Sequence, residues 1–251
     1  MDEQEFIRRL QHFAREHEDY VRDYREFRQL LRRWLARGPD APATADVATR
    51  LFDTLIQWGM AKLGPFPPVG DERHEAAVTR LTRALNRNRN RLRRINEGHP
   101  AHARPELFAR VGADVVQALF GVLDAPEVRI AYPSHAMLLL TGRCVALSSP
   151  VREGLRRLNE YEDTPRIELH IEANNLYQSQ LPLDKPGAAH EERERSHEER
   201  MRLMRELLCI SRGILAAMPV PPVNRLPRGW RGVEPARLCD CVLHDLGRNG
   251  P

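Results

Sequence analysis

A chain of 251 residues that is 41% hydrophobic and 29% charged has the composition of a globular protein and the length for one large core or two small ones. Aromatic residues make up only 6%, so the core leans on Leu, Val, Ile and Ala. The net charge is +4, yet all but two of the 39 basic residues, Lys62 and Lys185, are arginine. Arginine grips phosphate bidentately and stacks on bases better than lysine does, although codon composition alone explains such a bias equally well.

The acidic, polar start Met1-Asp2-Glu3-Gln4-Glu5 carries no secretory signature. Residues 2–37 read as one long helix, because Phe6, Leu10, Phe13, Tyr20, Tyr24, Phe27, Leu31 and Trp34 recur mostly at spacings of three and four. Gly38 and Pro39 end it. The stripe suits core packing first and a homodimer seam second. A second helix is expected from Thr44 or Asp46 through Leu51, Leu55 and Trp58 to Lys62, followed by the rigid loop Gly64-Pro65-Phe66-Pro67-Pro68. A third covers about 72–96, with Val78, Leu81, Leu85, Leu92 and Ile95 on its apolar face. It contains the densest basic run, in which Arg87, Arg89, Arg91, Arg93 and Arg94 alternate with Asn86, Asn88 and Asn90. Helical spacing spreads these arginines around much of the cylinder. Some suit phosphate contacts that weaken steeply in salt, and a solvated, ion-paired face is the alternative. A fourth, strongly apolar helix from Pro105 to Leu123 is expected at the centre of the core.

The most apolar stretch lies at 132–158. Ala136-Met137-Leu138-Leu139-Leu140 is too short to span a membrane, which takes roughly 20 apolar residues. It reads as a buried helix with Pro133 near its first turn and Gly142 just past its end. A short apolar crossing follows. Ser148 or Ser149 then caps a second amphipathic helix whose first turn holds Pro150. Thr164-Pro165 opens the next helix, through Ile167, Ile171 and Leu176, although the alternation Ile167-Glu168-Leu169-His170-Ile171 would suit a strand equally. Residues 181–200 are polar and read as a loop leading into a helix that is amphipathic from Met201 to Met218. Residues 219–235 are Pro-, Arg- and Gly-rich, and a last short helix runs from about Pro235 to Leu246. The expected class is all-α, with segments 1–40, 41–180 and 181–251 forming one domain, no internal repeat and no sheet. Cys144, Cys209, Cys239 and Cys241 lie too far apart for a disulfide framework, so a reducing cytoplasm is the expected location.

The unit at 132–158 resembles the core of the helix–hairpin–helix base-excision DNA glycosylases. In that superfamily a buried helix ends in Gly, crosses briefly, and turns into a helix bearing Arg and Leu; Leu147-Ser148-Ser149-Pro150-Val151-Arg152-Glu153-Gly154-Leu155-Arg156-Arg157-Leu158 follows this outline. The closing Arg237-Leu238-Cys239-Asp240-Cys241-Val242-Leu243 with Gly247, and Trp58-Gly59-Met60, resemble stretches of related all-α bacterial proteins of unknown function. The likeness covers roughly 50–160 and the last dozen residues. It implies a double-stranded DNA partner, no cofactor and no metal, and removal of a modified base in repair or phage defence. The superfamily's catalytic Asp falls at Ser148, whose hydroxyl carries no charge, and its Schiff-base Lys falls near His135, which suits an acid or base but not a Schiff base. The phosphate-gripping Gly-rich hairpin is missing before Tyr132. A carboxylate must then come from Glu153, Asp163, Glu168, Glu172 or Asp240. The catalytic set is therefore His135, Ser148, Glu172 and Asp240, and the phosphate contacts are Arg87, Arg91, Arg94, Arg143 and Arg152. Trp58, Tyr132, Asn174, Asn175 and Tyr177 have the chemistry to stack on or read a flipped base, with ordinary structural roles as the alternative.

Two other patterns are weaker. Arg94-Ile95-Asn96-Glu97-Gly98-His99 resembles the Arg-x4-His signature of the all-α HEPN ribonucleases, in which Arg holds phosphate and His acts as base. Cys239-x-Cys241-x2-His244 offers zinc-type ligands but lacks a fourth nearby, so core cysteines are the better reading. A non-catalytic DNA-binding or protein-interaction module that has lost its acid is the alternative to a glycosylase.

Overall fold

The N-terminal apolar stripe folds as two helices, α1 (Glu3–Glu16) and α2 (Glu18–Ala36), rather than one. In this computed structural model, which describes residues 1–60, 71–97, 104–122, 125–161 and 167–250, the break is at His17, with φ −136° and ψ 45°. No Gly or Pro marks it. The His17 ring packs instead against Phe13 at 4.8 Å and His244 at 5.0 Å, so a contact across more than 200 residues sets the bend. Phe6, Leu10, Phe13, Phe27, Leu31 and Trp34 are all buried within the chain. The homodimer seam therefore loses its motive, because its apolar side chains are already used.

Helix α3 (Thr44–Leu55) runs into a π-helical turn, Ile56–Met60, where Gly59 takes φ 86°. The expected continuation to Lys62 and the Pro-rich loop lie outside the described residues. Helix α4 (Glu72–Glu97) matches its expected span, and α5 (Pro105–Phe120) is the expected centre, packed between α4 and the long helix α9 (His190–Ala217). Helix α9 begins well before its amphipathic half, in a charged first stretch where His190 and Glu194, four residues apart, lie 3.3 Å from each other.

Helix α6 (Ala131–Thr141) is buried on nearly every side. Gly142 closes it in the left-handed region (φ 61°), its N–H donating to Leu138 O at 2.8 Å. After the crossing, Ser148 caps α7 (Ser149–Leu158), its Oγ accepting from Val151 N–H at 3.3 Å. Residues 167–178 form a helix, α8 (Ile167–Gln178), and not a strand. A small antiparallel pair, β1 (Glu127–Arg129) with β2 (Gln180–Pro182), was not foreseen; each strand has three residues, too few for a periodicity signal. The class is all-α, with ten α-helices among the described residues.

Two features hold the last helix, α10 (Pro235–Asn249). First, α7 and α10 cross at backbone contact. A Cβ on Gly154 would lie 1.9 Å from Leu243 O, and one on Gly247 would lie 1.8 Å from Pro150 O. Second, Glu234 ahead of α10 accepts from Tyr24 Oη at 2.9 Å, Arg28 Nη2 at 2.7 Å and Arg32 Nη2 at 2.9 Å. The same Arg28 donates to Leu139 O at 3.1 Å and Asn96 Oδ1 at 2.7 Å. One carboxylate thus ties α2, α4, α6 and α10 together.

Candidate functional site

Helices α1, α6, α7 and α10 meet around two adjoining cavities. The inner one, of about 450 Å3, is walled by Phe13, Tyr20 and Trp58 on one side and by His135, Ser148, Arg237, Asp240 and His244 on the other. The outer one, of about 730 Å3, is bounded by Arg129, Tyr132, Ser149, Tyr177 and Asn249. His135, Ser148, Pro150 and Arg248 line both, so the two form an inner chamber and a vestibule with a shared wall. Both volumes fall within the range of small-molecule and cofactor sites, about 300–1,000 Å3.

The chamber is organised around Arg237, which is 3% exposed. Its guanidinium stands 4.9 Å from the Trp58 ring centre, 5.3 Å from Tyr24 and 5.6 Å from Phe13. Nη1 donates to Asp240 Oδ2 at 2.6 Å, and Asp240 Oδ1 accepts from Ala146 N–H at 2.9 Å. A buried cation is therefore neutralised by one carboxylate and wrapped in aromatic faces. Tyr20 stacks on Trp58 with centroids 5.5 Å apart. Trp58 Nε1, Arg237 Nε and His244 Nδ1 have no hydrogen-bond partner among the described residues, and all three residues line the chamber. Such unmet groups are uncommon in folded proteins and concentrate where function opposes stability.

Two histidines, His135 and His244, line the same space, and a third, His17, packs against His244. His135 Nδ1 lies 2.7 Å from Ala131 O. A carbonyl only accepts, so Nδ1 carries the proton and Nε2 keeps its lone pair. Burial lowers the pKa of His135, opposed by the bond to Ala131 O. Burial, reinforced by the charges of His17, Arg248 and Arg237, holds His244 down at about 3. His17 is lowered by burial and by Arg248. All three rings are neutral at pH 7, and His135 offers a base rather than an acid.

Of the candidate catalytic residues, His135, Ser148 and Asp240 converge on the chamber. Glu172 does not, since it is exposed beside Arg202, Glu206 and Cys209 in a separate depression. Glu153 is held at about 2 by hydrogen bonds from Arg156 and Arg157. Glu168 is exposed on α8, and Asp163 lies outside the described residues. Among the base-reading candidates, Trp58 lines the chamber and Tyr132 and Tyr177 line the vestibule. Asn175 borders the depression with Glu172, and Asn174 is engaged by Arg152 Nη1 at 2.5 Å.

The arginines expected to touch phosphate do not form one surface. Arg143 is buried and caps α4, its Nε donating to Ile95 O at 3.1 Å and Nη2 to Asn96 O at 3.2 Å. It is structural, because its guanidinium supplies the donors that the end of α4 lacks. Arg91 is half-buried against Asn88 Oδ1 at 2.8 Å. Arg87 borders a mixed-charge groove between α4 and α9, and Arg94 is exposed on α4. Arg152 alone neighbours the vestibule, lying 3.5 Å above the Tyr177 ring. His99 of the ribonuclease-like pattern lies outside the described residues. Cys239 and Cys241 are free buried thiols, Cys241 pushed up to about 12 by burial. Among the described residues no three His, Cys, Asp or Glu side chains cluster as a metal site, and no helix is long and apolar enough to cross a membrane.

Sequence reasoning missed Arg237, Arg248, Arg129 and His17. Nothing local separates these three arginines from the many others, and the placement of His17 depends on a partner in α10. No protein-family model, curated protein or solved structure matches this chain.

Proposed function

We propose that this protein acts on DNA by drawing one base out of the stack into the aromatic chamber, most concretely as a divergent glycosylase that hydrolyses the bond between a modified base and its sugar. The observation that carries the reading is the convergence of Trp58, His135, Ser148 and Asp240, far apart in sequence, on one cavity of about 450 Å3, with Tyr132 and Tyr177 at its vestibule. Trp58 and Tyr20 supply a stacked aromatic wall of the kind a flipped base packs against. His135 Nε2 accepts a proton from the attacking water, the water oxygen bonds to C1′ of the sugar, and the glycosidic bond breaks as the base departs. Asp240 contributes the negative charge nearest the developing sugar cation.

One observation favours a second reading, a binding module without catalysis. Both Asp240 oxygens are already bonded, to Arg237 and to Ala146 N–H, and Ser148 Oγ is engaged as a helix cap. Duplexes carrying a panel of damaged and hypermodified bases, glucosylated cytosine included, separate the two. Alkali-dependent nicking at one modified base, abolished by His135→Ala, supports excision. Salt-sensitive binding with no nicking supports the module. Absence of both sinks the DNA reading.

A further inference from the structure

The vestibule differs in charge from four other cavities among the described residues, which each carry a carboxylate: Asp240 in the chamber, Asp184, Glu172 and Glu18 in the rest. The vestibule carries Arg129 and Arg248 and no Asp or Glu. Neither Arg129 nor Arg248 has a carboxylate within 4.0 Å among the described residues, and Glu127, two residues before Arg129 on β1, does not reach it.

Both arginines are aimed by the fold. The backbone contact of Gly247 with Pro150 sets Arg248 beside the first turn of α7. The pairing of Arg129 with Gln180 sets β1 next to the end of α8, which carries Tyr177. Arg152 on the Tyr177 ring adds a third cation to the rim. The first turn of α7 contributes little by itself, since Pro150 has no N–H and Ser148 Oγ holds the N–H of Val151. The arginines carry the charge.

We propose that the vestibule is a phosphate-ester site, with Arg129 and Arg248 holding the phosphate, so that the unit taken up is a nucleotide and not an uncharged heteroaromatic. Guanidinium groups hold phosphate through charge-assisted, often bidentate, hydrogen bonds. The inference rests on the base-extrusion reading only for orientation, phosphate in the vestibule and base in the chamber. The phosphate belongs either to a strand or to a free nucleotide, which share this chemistry.

The test is titration calorimetry on the full chain, the Arg129→Gln/Arg248→Gln double variant, and Arg195→Gln as an exposed control on α9. The probes are inorganic phosphate, the deoxynucleoside 5′-monophosphates, the matching nucleosides, and a single-stranded and a duplex oligonucleotide. Phosphate-bearing probes should weaken at least about tenfold in the double variant and not in the control. The nucleosides should bind more weakly to the unaltered chain and ignore the double variant. Tight monophosphate binding points to a free nucleotide as the source, and binding confined to oligonucleotides points to a strand. Equal affinity of the double variant and the unaltered chain for every phosphate-bearing probe overturns the inference, as does failure of all of them to bind. Phosphate binding that the double variant loses, with no strand or nucleoside binding at all, leaves the inference standing and removes the base-extrusion reading. Strand binding that ignores the double variant does the reverse.

Discussion

Substituting Gly247 with Ala tests how the site is held. The new Cβ would lie 1.8 Å from Pro150 O, 2.7 Å from Pro150 C and 2.9 Å from Gly154 N. Optimal carbon contacts lie at about 3.5–4.0 Å, so α7 and α10 must part by more than 1 Å. All three neighbours are backbone, so no side chain can swing aside. Overpacking of this kind costs about 1–3 kcal/mol and occasionally more, against about 1 kcal/mol gained by replacing Gly inside a helix. With the cost at the upper end of that range, because the clash is with backbone, we expect a net loss of about 2 kcal/mol, a sizeable share of a typical stability of about 5–15 kcal/mol. Gly154→Ala, 1.9 Å from Leu243 O, should behave alike. Gly38→Ala meets nothing within 4 Å and should stay within about 0.5 kcal/mol of the parent. Gly213→Ala meets only the flexible end of Leu169 at 2.5 Å and should fall between. Urea unfolding followed by circular dichroism measures the series. Ligand affinity should also fall in the folded Gly247→Ala protein, because α10 carries Arg237, Asp240, His244 and Arg248. If Gly247→Ala and Gly154→Ala match Gly38→Ala, the backbone contact is not what fixes the site.

Further predictions follow the same physics. Glu234→Gln keeps the shape of the hub but leaves buried Arg28 without its counter-ion, and uncompensated buried charges cost about 3–5 kcal/mol; a melting temperature unchanged by the substitution would show that the hub carries no net charge energy. Between its folded pKa of about 3 and the ordinary value of 6.5, His244 takes up a proton only when the chain is unfolded. Stability therefore rises with pH through that window and is complete above it, with a slope from this residue of at most about 1.4 kcal/mol per pH unit. His244→Gln should flatten the unfolding free energy between pH 4 and 6.5, and curves parallel to the parent would count against a neutral buried ring. Ser148→Ala should cost about 1 kcal/mol through the lost cap, whereas Ser148→Asp keeps a capping oxygen and stays within about 0.5 kcal/mol. The Asp variant also restores the charge that the resembled glycosylases carry there, so base excision should rise in it; an unchanged or lower rate would separate this site from theirs.

The parts of the fold legible in the sequence are those that local chemistry dictates. Gly142 ends α6 because only its left-handed backbone closes the turn without strain, and Ser148 with Pro150 opens α7 because a hydroxyl cap and a fixed φ suit a first turn. The span of α4 follows from its apolar period. What stayed hidden depends on distant partners. The bend at His17 comes from the ring of His244, and the early start of α9 lies in a charged stretch that carries no apolar period. Arg143 looked like a phosphate contact, yet a buried arginine capping α4 and an exposed one are identical in sequence. Within the site, Trp58, His135, Ser148 and Asp240 were singled out by residue chemistry and resemblance, while Arg237, which arranges them, was not.

Several conflicts between local preference and fold lie around the chamber. The bend at His17, the positive φ of Gly59 beside Trp58, the buried Arg237 among aromatic rings and three unpartnered nitrogens all border the chamber or adjoin its wall. The Gly154–Gly247 contact holds its floor at backbone distance. Proteins keep such conflicts where function demands a shape that packing alone would not choose. Together with the convergence of Trp58, His135 and Asp240 on one cavity, these conflicts single out the junction of α1, α6, α7 and α10 as the candidate site, whatever its ligand.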